Sequence, residues 1–324
     1  MQAWQVSELG SPALRAERPL PTPVFGQARV KIAAVGLNFA DLLMAEGKYQ
    51  EHPALPFIPG MEFAGTVDAL HPDTPATVKP GTRVAGFASH GALAEYTTAP
   101  AAHLIALPDN MSFQQAAAFQ IAYGTSHLAL SHKARLQPGE TLLVFGAAGG
   151  VGLTAVEIGK RMGANVIACA RGPEKLAIAR AAGADVTVDS DTPDLKAALK
   201  AAAEQWGGLD VVYDPVGGPA FGAALSACRP EGRLLTIGFA SGQLPVIPAN
   251  HLLVKNLSVI GLYWGGYLTF APQVLTNSLR TLFQWFAEGG LRPHISHELA
   301  FSDYPKGLDL LRTRQATGKV VINL

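Results

Sequence analysis

The sequence predicts a two-domain α/β protein in which a doubly wound parallel sheet follows a β-rich module. Three observations support this prediction. A glycine-rich turn lies between an apolar strand pattern and a helical pattern at residues 141–161. Strand and helix patterns alternate from about residue 122 to 267, whereas residues 1–121 are rich in proline, glycine and β-type segments. The chain, at 324 residues, is also longer than one typical domain.

Short strands and irregular loops are expected in the N-terminal module, because runs of β-branched and aromatic residues there are separated by proline and glycine. These strands are predicted at 28–35, 63–70, 83–87 and 94–99, with a short helix near 42–46. Beyond about residue 268 the pattern predicts two helices and a last strand, at 274–288, 304–314 and 319–323.

The central region has the alternation that is typical of a parallel sheet with helices on both faces. Its strands are expected at 141–145, 165–170, 185–189, 209–213, 233–238 and 257–262. Its helices are expected from the glycine turn to about 161 and at 174–182, 193–205 and 219–228.

The glycine-rich turn predicts a dinucleotide-binding site. Gly146 permits the tight turn, Gly149 and Gly150 let the backbone approach a pyrophosphate, and Gly152 lets the helix pack close to the strand. Ala147 stands where G-x-G-x-x-G would have its first glycine, and a turn of this kind can also serve packing alone. The residues expected to face the phosphates are Ala148, Gly149, Gly150, Val151 and Gly152.

The end of the second strand favours NADPH over NADH. An NAD site usually has an acidic residue there for the ribose 2′-hydroxyl, but this strand ends at Arg171 and Lys175 follows in the next helix. A guanidinium can bind a 2′-phosphate through two hydrogen bonds, and an ammonium adds a point charge. Alternatively both are solvated surface cations. Glu174 could reach a ribose hydroxyl, but a glutamate in the first turn of a helix is more often a partner of the helix dipole.

Composition excludes several classes of function. The formal net charge is zero, which disfavours nucleic acid and anionic membranes as partners. No apolar run approaches the roughly 18 residues that cross a bilayer, and the N-terminus lacks a signal-peptide pattern. Cys169 and Cys228 lie in apolar segments, so we expect a reduced, cytoplasmic protein.

Several segments together resemble the medium-chain dehydrogenase/reductase superfamily, and within it the zeta-crystallin-like NADPH:quinone oxidoreductases, over essentially the whole chain. The matching segments are VGLNFAD at 35–41, GKY at 47–49, PGMEFAG at 59–65, AAGGVG at 147–152 and GK at 318–319. The resemblance implies a GroES-like catalytic domain, residues 1–121 completed by 268–324, into which a Rossmann domain, residues 122–267, is inserted. It also implies a homodimer formed through the strand at 257–262.

The resemblance argues against a catalytic zinc. Zinc enzymes of this superfamily have a cysteine at the position of Asn38 and a histidine at the position of Met61. An amide and a thioether are poor ligands for Zn²⁺, and the four-cysteine structural lobe is missing as well. Glu62 and Asp41 are then interpreted as scaffold, with Asp41 hydrogen-bonded at the start of the helix near 42–46.

Two side chains are the candidate catalytic residues. Tyr49 lies in a segment that the resemblance places at the mouth of the cleft, where its hydroxyl could bind the acceptor oxygen or pass a proton. Asn38 is expected to face the nicotinamide and to hydrogen-bond cofactor or substrate. Alternatively, Tyr49 packs on Pro53 and Pro56, and Asn38 is a turn or helix cap.

Further cofactor contacts follow from the resemblance and from the carboxyl ends of the strands, where open sheets bind ligands. They are Thr125, Ser190, Ile237, Gly238, Phe239, Leu262, Tyr263 and Trp264.

The sequence therefore predicts a metal-independent oxidoreductase that transfers hydride from NADPH to quinones or related conjugated carbonyls. Such acceptors need only a hydrogen-bond donor near the oxygen. Two alternatives stay open: a reductase of enones, acrylates or enoyl thioesters, and a non-catalytic, crystallin-like NADPH-binding protein. The pair His294 and His297 is isolated, and the motifs of serine hydrolases and of phosphate-gripping P-loops are absent.

Overall fold

The computed structural model describes residues 1–75 and 77–324, which divide into two compact units. The first unit contains Met1–Ile121 and Leu279–Leu324, and the second contains Ala122–Ser278. The chain returns to the first unit at Leu279 rather than near residue 268, because a long helix, Pro272–Ala287, begins in the second unit and ends in the first.

The N-terminal segment of the first unit is mostly β. Its elements are β1 (Gln2–Gln5), β2 (Leu14–Glu17), β3 (Gln27–Leu37), α1 (Phe39–Ala45), β4 (Glu62–Leu70), β5 (Arg83–Phe87), β6 (Tyr96–Pro100), β7 (Ile105–Ala106) and α2 (Phe113–Ala117). A 3₁₀ turn at Ala101–His103 precedes β7, and α3 (Gln120–His127) leads into the second unit.

Strands and helices alternate through the second unit. They are β8 (Thr141–Phe145), α4 (Gly150–Arg161), β9 (Asn165–Ala170), α5 (Pro173–Ala181), β10 (Val186–Asp189), α6 (Leu195–Ala203), β11 (Leu209–Asp214), α7 (Pro219–Ala227), β12 (Cys228–Thr236), α8 (Ala249–Lys255), β13 (Ser258–Gly261) and α9 (Tyr267–Phe270). A π-helical turn, Leu128–Lys133, continues α3, and a 3₁₀ turn follows α6 at Glu204–Trp206.

The last segment contains α10 (Pro272–Ala287), β14 (Ile295–Ala300), a 3₁₀ turn at Phe301–Asp303, α11 (Tyr304–Arg312) and β15 (Lys319–Asn323).

The sheet of the second unit confirms the predicted doubly wound fold. Its strand order is β10-β9-β8-β11-β12-β13, and each neighbouring pair is parallel. The central strand β8 is buried along its whole length, as expected for a parallel sheet covered on both faces. β12 begins at Cys228, five residues before the predicted 233, and an irregularity in its pairing with β11 separates this first part from the regular ladder.

The sheet of the first unit brings the two ends of the chain together. Its order is β14-β15-β3-β4-β5-β7, and β6 also pairs with β3. The last strand, β15, runs antiparallel to β3 with Val320 opposite Leu37. On the other side of β3, Glu62 of β4 lies opposite Gly36. This register places the first residue of β15 beside the start of α1 and close to the start of β4.

Within residues 1–75 and 77–324, no helix is long and apolar enough to cross a membrane.

Candidate functional site

The glycine turn of the second unit is closed by backbone hydrogen bonds. Gly146 adopts the left-handed region with φ of 56°, which a residue with a side chain disfavours. The Ala147 N–H donates to Cys169 O at 3.1 Å, and the Gly149 N–H donates to Gly146 O at 2.8 Å. Gly149 is the N-cap of α4, so the turn ends where the helix begins.

Gly152 shows why a side chain cannot be accommodated in this turn. A Cβ atom at Gly152 would lie 2.1 Å from Gly146 O, far inside van der Waals contact. The start of α4 also has no acidic residue in its first turn, so its positive end is not neutralised by a side chain. Backbone N–H groups at the start of a helix of 12 residues fit a pyrophosphate.

The predicted 2′-phosphate residues lie at the carboxyl end of β9. The Arg171 side chain is 65% exposed, and its Nε lies 3.0 Å from an Asp191 carboxylate oxygen. Lys175 lies half-buried in α5. Ser190, also half-buried, donates its N–H to Ala170 O at 3.0 Å, which holds the end of β10 against β9.

Two further predicted segments lie at the carboxyl ends of β12 and β13. The Ile237 N–H donates to Asp214 O at 2.9 Å, and the Leu262 N–H donates to Thr236 O at 3.2 Å. Phe239 is 42% exposed beyond the end of β12.

Asp214 is a buried residue of this edge that the sequence did not point to. Its Oδ1 accepts the N–H groups of Val216 and Gly217 at 2.8 and 2.9 Å, and burial raises the pKa of this carboxyl. The side chain therefore shapes the loop after β11. A buried acid at a strand end gives no periodic pattern by which sequence alone could have identified it.

The segment around Trp264 packs against α3. Trp264 is buried, and a Cβ at Gly124 would lie 2.8 Å from its ring, so a glycine is required there. Thr125, the next residue, is buried, whereas Tyr263 is 39% exposed. The structure thus brings the predicted Thr125 and Trp264 segments together within the second unit.

A buried hydroxyl network links α3 to the glycine turn. Ser126 Oγ lies 2.8 Å from Val151 O, 2.8 Å from Thr154 Oγ1 and 3.0 Å from Tyr213 OH. Because all of these atoms belong to residues near the start of α4 or in β11, the network fixes the first turn of the helix against the sheet. The sequence analysis did not identify Ser126, Thr154 or Tyr213.

In the first unit, Asn38 lies at the start of α1 with only 9% of its surface exposed. Its Nδ2 donates to Glu62 Oε1 at 2.9 Å and is directed toward Gly36 O at 3.4 Å. Its Oδ1 accepts from Lys319 Nζ at 2.6 Å. The amide group is therefore bound on both of its polar atoms.

Lys319 and Glu62 form a buried ion pair around this amide. The Lys319 Nζ donates to Glu62 Oε1 at 2.6 Å and to Leu37 O at 2.8 Å. The side chains are 5% and 0% exposed, and the Ile121 N–H donates to the other Glu62 oxygen at 2.9 Å. Both charges thus have direct partners, as buried charges require.

Asp41 holds the backbone of Asn38. Its Oδ2 accepts the Asn38 N–H at 2.8 Å, which confirms the predicted hydrogen bond at the start of the helix. Its Oδ1 is buried without a hydrogen-bond partner among the described residues. Burial raises the pKa of Asp41 to about 7, although Asn38 N–H and Lys319 oppose the shift.

Tyr49 packs, half-buried, against a small apolar cluster formed by Val6, Met44, Phe57 and Met61. Met61 occupies the predicted position of a missing zinc ligand and is 7% exposed. The described residues, 1–75 and 77–324, contain no group of three or more His, Cys, Asp or Glu that could hold a metal ion.

Comparisons with known proteins agree with this architecture. The zinc-binding dehydrogenase family model matches residues 150–287, and the alcohol dehydrogenase GroES-like domain matches residues 25–109. The chain is 40% identical to a quinone oxidoreductase-like protein 2 homolog of Nematostella vectensis, over 99% of this chain and 88% of that protein. It is 39% identical to quinone oxidoreductase-like protein 2 of Mus musculus, over 100% of this chain and 95% of that protein.

Solved structures give the same result. A quinone oxidoreductase of Thermus thermophilus, also determined in complex with NADPH, is 35% identical with a TM-score of 0.88, and the match covers 100% of both chains. The Escherichia coli quinone oxidoreductase complexed with NADPH is 27% identical with a TM-score of 0.91, again over 100% of both chains.

Proposed function

The chain belongs to the quinone oxidoreductase family of medium-chain dehydrogenases/reductases, and on that premise we propose that it transfers hydride from NADPH to quinones or related conjugated carbonyls without a catalytic metal. One observation supports the proposal that the reaction needs no catalytic metal. The Lys319 ammonium lies 2.6 Å from both Asn38 Oδ1 and Glu62 Oε1. A positive charge already built in beside Asn38 disfavours a divalent cation there, and Asn38 and Met61 offer poor zinc ligands.

The glycine turn of the second unit fits NADPH for two reasons. The position of Gly152 leaves no room for a Cβ atom, and no acidic side chain in the first turn of α4 neutralises the positive end of the helix. When bound, NADPH supplies the hydride. The residues that would hold it are those of the turn, the 2′-phosphate pair and the strand ends: Ala148, Gly149, Gly150, Val151, Gly152, Arg171, Lys175, Ser190, Ile237, Gly238, Phe239, Leu262, Tyr263 and Trp264, together with Thr125 and Asn38.

The acceptor oxygen needs a hydrogen-bond donor as negative charge develops on it. Tyr49 is the side chain proposed for that role, or for passing a proton from solvent. The apolar cluster beneath it, with Met44, Phe57 and Met61, limits the orientations of its ring. An apolar surface beside a hydrogen-bond donor suits a conjugated ring or enone better than a charged substrate.

A homodimer is proposed through the free edge of the parallel sheet. β13 is the edge strand of the sheet in the second unit. The unpaired N–H and C=O groups of an edge strand favour pairing with another chain, and a two-fold axis would pair β13 with its copy. Leu253 and Val254 of the preceding helix are each 79% exposed, and Leu244 and Val246 are 73% and 83% exposed. A molar mass of one chain in light scattering would contradict this assembly.

A cytoplasmic location is proposed as well. Cys169 and Cys228 are free and buried, and burial raises the pKa of both thiols to about 12, so they are inert core residues. Fractionation of the cells that produce the protein tests this location.

The first experiment follows oxidation of NADPH and NADH side by side at the nicotinamide absorbance. The acceptors are an ortho-quinone, a para-quinone, a simple enone and an acrylyl thioester. Turnover with NADPH and a quinone supports the proposal, whereas turnover confined to the enone or thioester assigns the double-bond reductase. Binding of NADPH without oxidation by any acceptor assigns the non-catalytic class.

Two variants test the proposed roles of Arg171 and Lys175 in cofactor preference and of Tyr49 as hydrogen-bond donor. Arg171→Ala/Lys175→Ala should lower the preference for NADPH over NADH by at least about tenfold, and Lys196→Ala, an exposed cation on α6, is the control. Tyr49→Phe should lower kcat by about 100-fold with little change in the NADPH Kd, and Tyr96→Phe in β6 is its control. Unchanged kcat in Tyr49→Phe would leave water as the donor.

A further inference from the structure

We propose that Asp189 is a positioning residue for cofactor selection, because its carboxylate fixes the backbone from which the Arg171 guanidinium reaches the 2′-phosphate of NADPH. The inference rests on the proposed function, in which Arg171 binds that phosphate. The contacts that support it lie within the second unit, at the carboxyl ends of β9 and β10.

One oxygen of Asp189 joins the two strand ends. Its Oδ1 accepts the N–H of Gly172, the residue after Arg171, at 3.3 Å. The same oxygen accepts the Asp191 N–H at 3.0 Å. Because Asp189 is half-buried at the last position of β10, its carboxylate bridges the segment that leaves β9 and the segment that leaves β10.

Both peptide groups that flank Arg171 are therefore held. The peptide before it is held through Ala170 O, which accepts the Ser190 N–H at 3.0 Å. The peptide after it is held through the Gly172 N–H, which donates to Asp189. A glycine has a wide choice of backbone conformations, and a Cβ atom at Gly172 would meet nothing within 4 Å. The hydrogen bond to Asp189 limits that freedom.

The side chain of Arg171 depends on this backbone for its position. Its only printed-length ion pair partner in this segment, Asp191, lies 3.0 Å away, but the two side chains are 65% and 56% exposed. An exposed ion pair restrains a long side chain only weakly. The direction in which the guanidinium leaves the chain is therefore set by the peptides on either side of Arg171.

The charge of Asp189 acts in the opposite direction to its hydrogen bonds. A carboxylate repels a phosphate nearby, and Asp191 and Glu174 add further negative charge beside Arg171. If Asp189 acted through its charge, it would favour NADH. Its role as a hydrogen-bond acceptor is the one that favours NADPH, so the two contributions can be separated by substitution.

The test measures the Kd of NADPH and of NADH by fluorescence titration, and the ratio of the two is the readout. Asp189→Asn and Asp189→Ala remove the same negative charge, but only asparagine keeps an oxygen that can accept both N–H groups. Asp189→Asn should keep or increase the wild-type preference for NADPH. Asp189→Ala should lower that preference about fivefold relative to Asp189→Asn, through a higher NADPH Kd.

Asp185→Ala is the control for a purely structural effect. Asp185 Oδ2 accepts the Val166 N–H at 2.7 Å, so it holds the opposite end of β9, and it also pairs with Lys160. This variant should lower stability in urea unfolding but leave the ratio of the two Kd values unchanged. Asp189→Val, which suits a strand and also lacks an acceptor, replaces Asp189→Ala if the alanine variant does not fold.

The effect should also require Arg171. In an Arg171→Ala background, Asp189→Ala should change the ratio no further. Equal ratios in Asp189→Asn and Asp189→Ala, beside a lowered preference in Arg171→Ala, would overturn the inference alone. An equal rise of both Kd values in Asp189→Ala would overturn it as well, because it would show a merely structural role.

Failure of the proposed function gives different results. A wild type that binds NADPH in preference to NADH but reduces no acceptor would contradict the proposed reaction, and the binding test of Asp189 would keep its outcome. An unchanged ratio in Arg171→Ala would overturn both the assignment of the 2′-phosphate to Arg171 and the positioning role of Asp189.

Discussion

The glycine turn of the second unit and the Asn38 cluster of the first unit are built in opposite ways. The turn uses backbone groups of residues 146–152. Its shape depends on glycine at positions such as Gly152, where a Cβ atom would not fit. The cluster uses side-chain charges from residues 38, 62 and 319, which are up to 281 positions apart in sequence. A local backbone site of this kind should tolerate no added Cβ atom. A long-range side-chain site should tolerate paired changes but not single ones.

The largest expected effect comes from giving the turn a side chain. In Gly152→Ala, the new Cβ would overlap Gly146 O, so the turn must open and its N–H groups lose their alignment. We expect the NADPH Kd to rise by about 100-fold or more, which isothermal titration measures.

Gly222→Ala in α7 is the matched control, because a Cβ there meets nothing within 4 Å. Equal losses in the two variants would mean that helix glycines, and not this turn, limit binding.

The side-chain cluster should respond to pH where the turn does not. The Asp41 pKa is about 7 in the folded chain against an ordinary value of 3.8, so between these values the folded state binds more protons than the unfolded state. Its contribution to stability is therefore present at low pH and lost as pH rises toward 7, by up to about 1.4 kcal/mol per pH unit.

Asp41→Asn should remove this slope, because an amide oxygen can still accept the Asn38 N–H. Urea unfolding at pH 5, 6, 7 and 8 measures it, with the exposed Asp109→Asn as control. Lys319, Glu62 and Tyr304 also interact electrostatically with Asp41. If the wild type and Asp41→Asn kept the same slope, one of these neighbours rather than Asp41 would carry the pH dependence.

The second unit contains a buried group with the opposite dependence. Burial lowers the pKa of His127 to about 4 from 6.5, and its Nδ1 lies 2.8 Å from Ser278 Oγ. The unfolded state binds more protons between these values, so stability is complete above pH 6.5 and falls by up to about 2 kcal/mol on acidification to pH 5.

His127→Asn retains a polar group near the Nδ1 position and should remove this loss of stability between pH 6.5 and pH 5. Urea unfolding at both pH values measures it. The exposed His52→Asn should not remove the loss. Unfolding of the wild type that stays independent of pH from 6.5 to 5 would show that the two units do not differ in this way.

The smallest effect is expected at the exposed ion pair of Arg171 and Asp191, which are 65% and 56% exposed. Asp191→Asn removes a negative charge beside the proposed 2′-phosphate site, so NADPH should bind more tightly by less than about threefold. The difference should shrink further at high salt. A tenfold change in the NADPH Kd would mean that Asp191 fixes the orientation of the Arg171 side chain.

Local patterns predicted the fold well. The strands at 83–87 and 319–323 were predicted at their observed bounds, and the six strands of the second unit were predicted in their observed order. The helices α8 (Ala249–Lys255) and α9 (Tyr267–Phe270) were not predicted. The start of β12 at Cys228 was missed, because Pro230 and Gly232 interrupt the β pattern there. The return to the first unit inside α10 was also missed, because a domain boundary within a continuous helix leaves no turn or linker in the sequence.

The sequence by itself determined the doubly wound sheet, the glycine turn and the absence of the usual zinc ligands at Asn38 and Met61. Each depends on residues that are neighbours in the chain, and a local pattern therefore contains them. Only the tertiary structure decided that Glu62, which the sequence indicated as scaffold, lies at the centre of the Asn38 cluster. It also decided that Lys319 donates hydrogen bonds to both Asn38 and Glu62. The antiparallel pairing of β15 with β3 creates that contact, and no local pattern specifies which buried charges the pairing brings together.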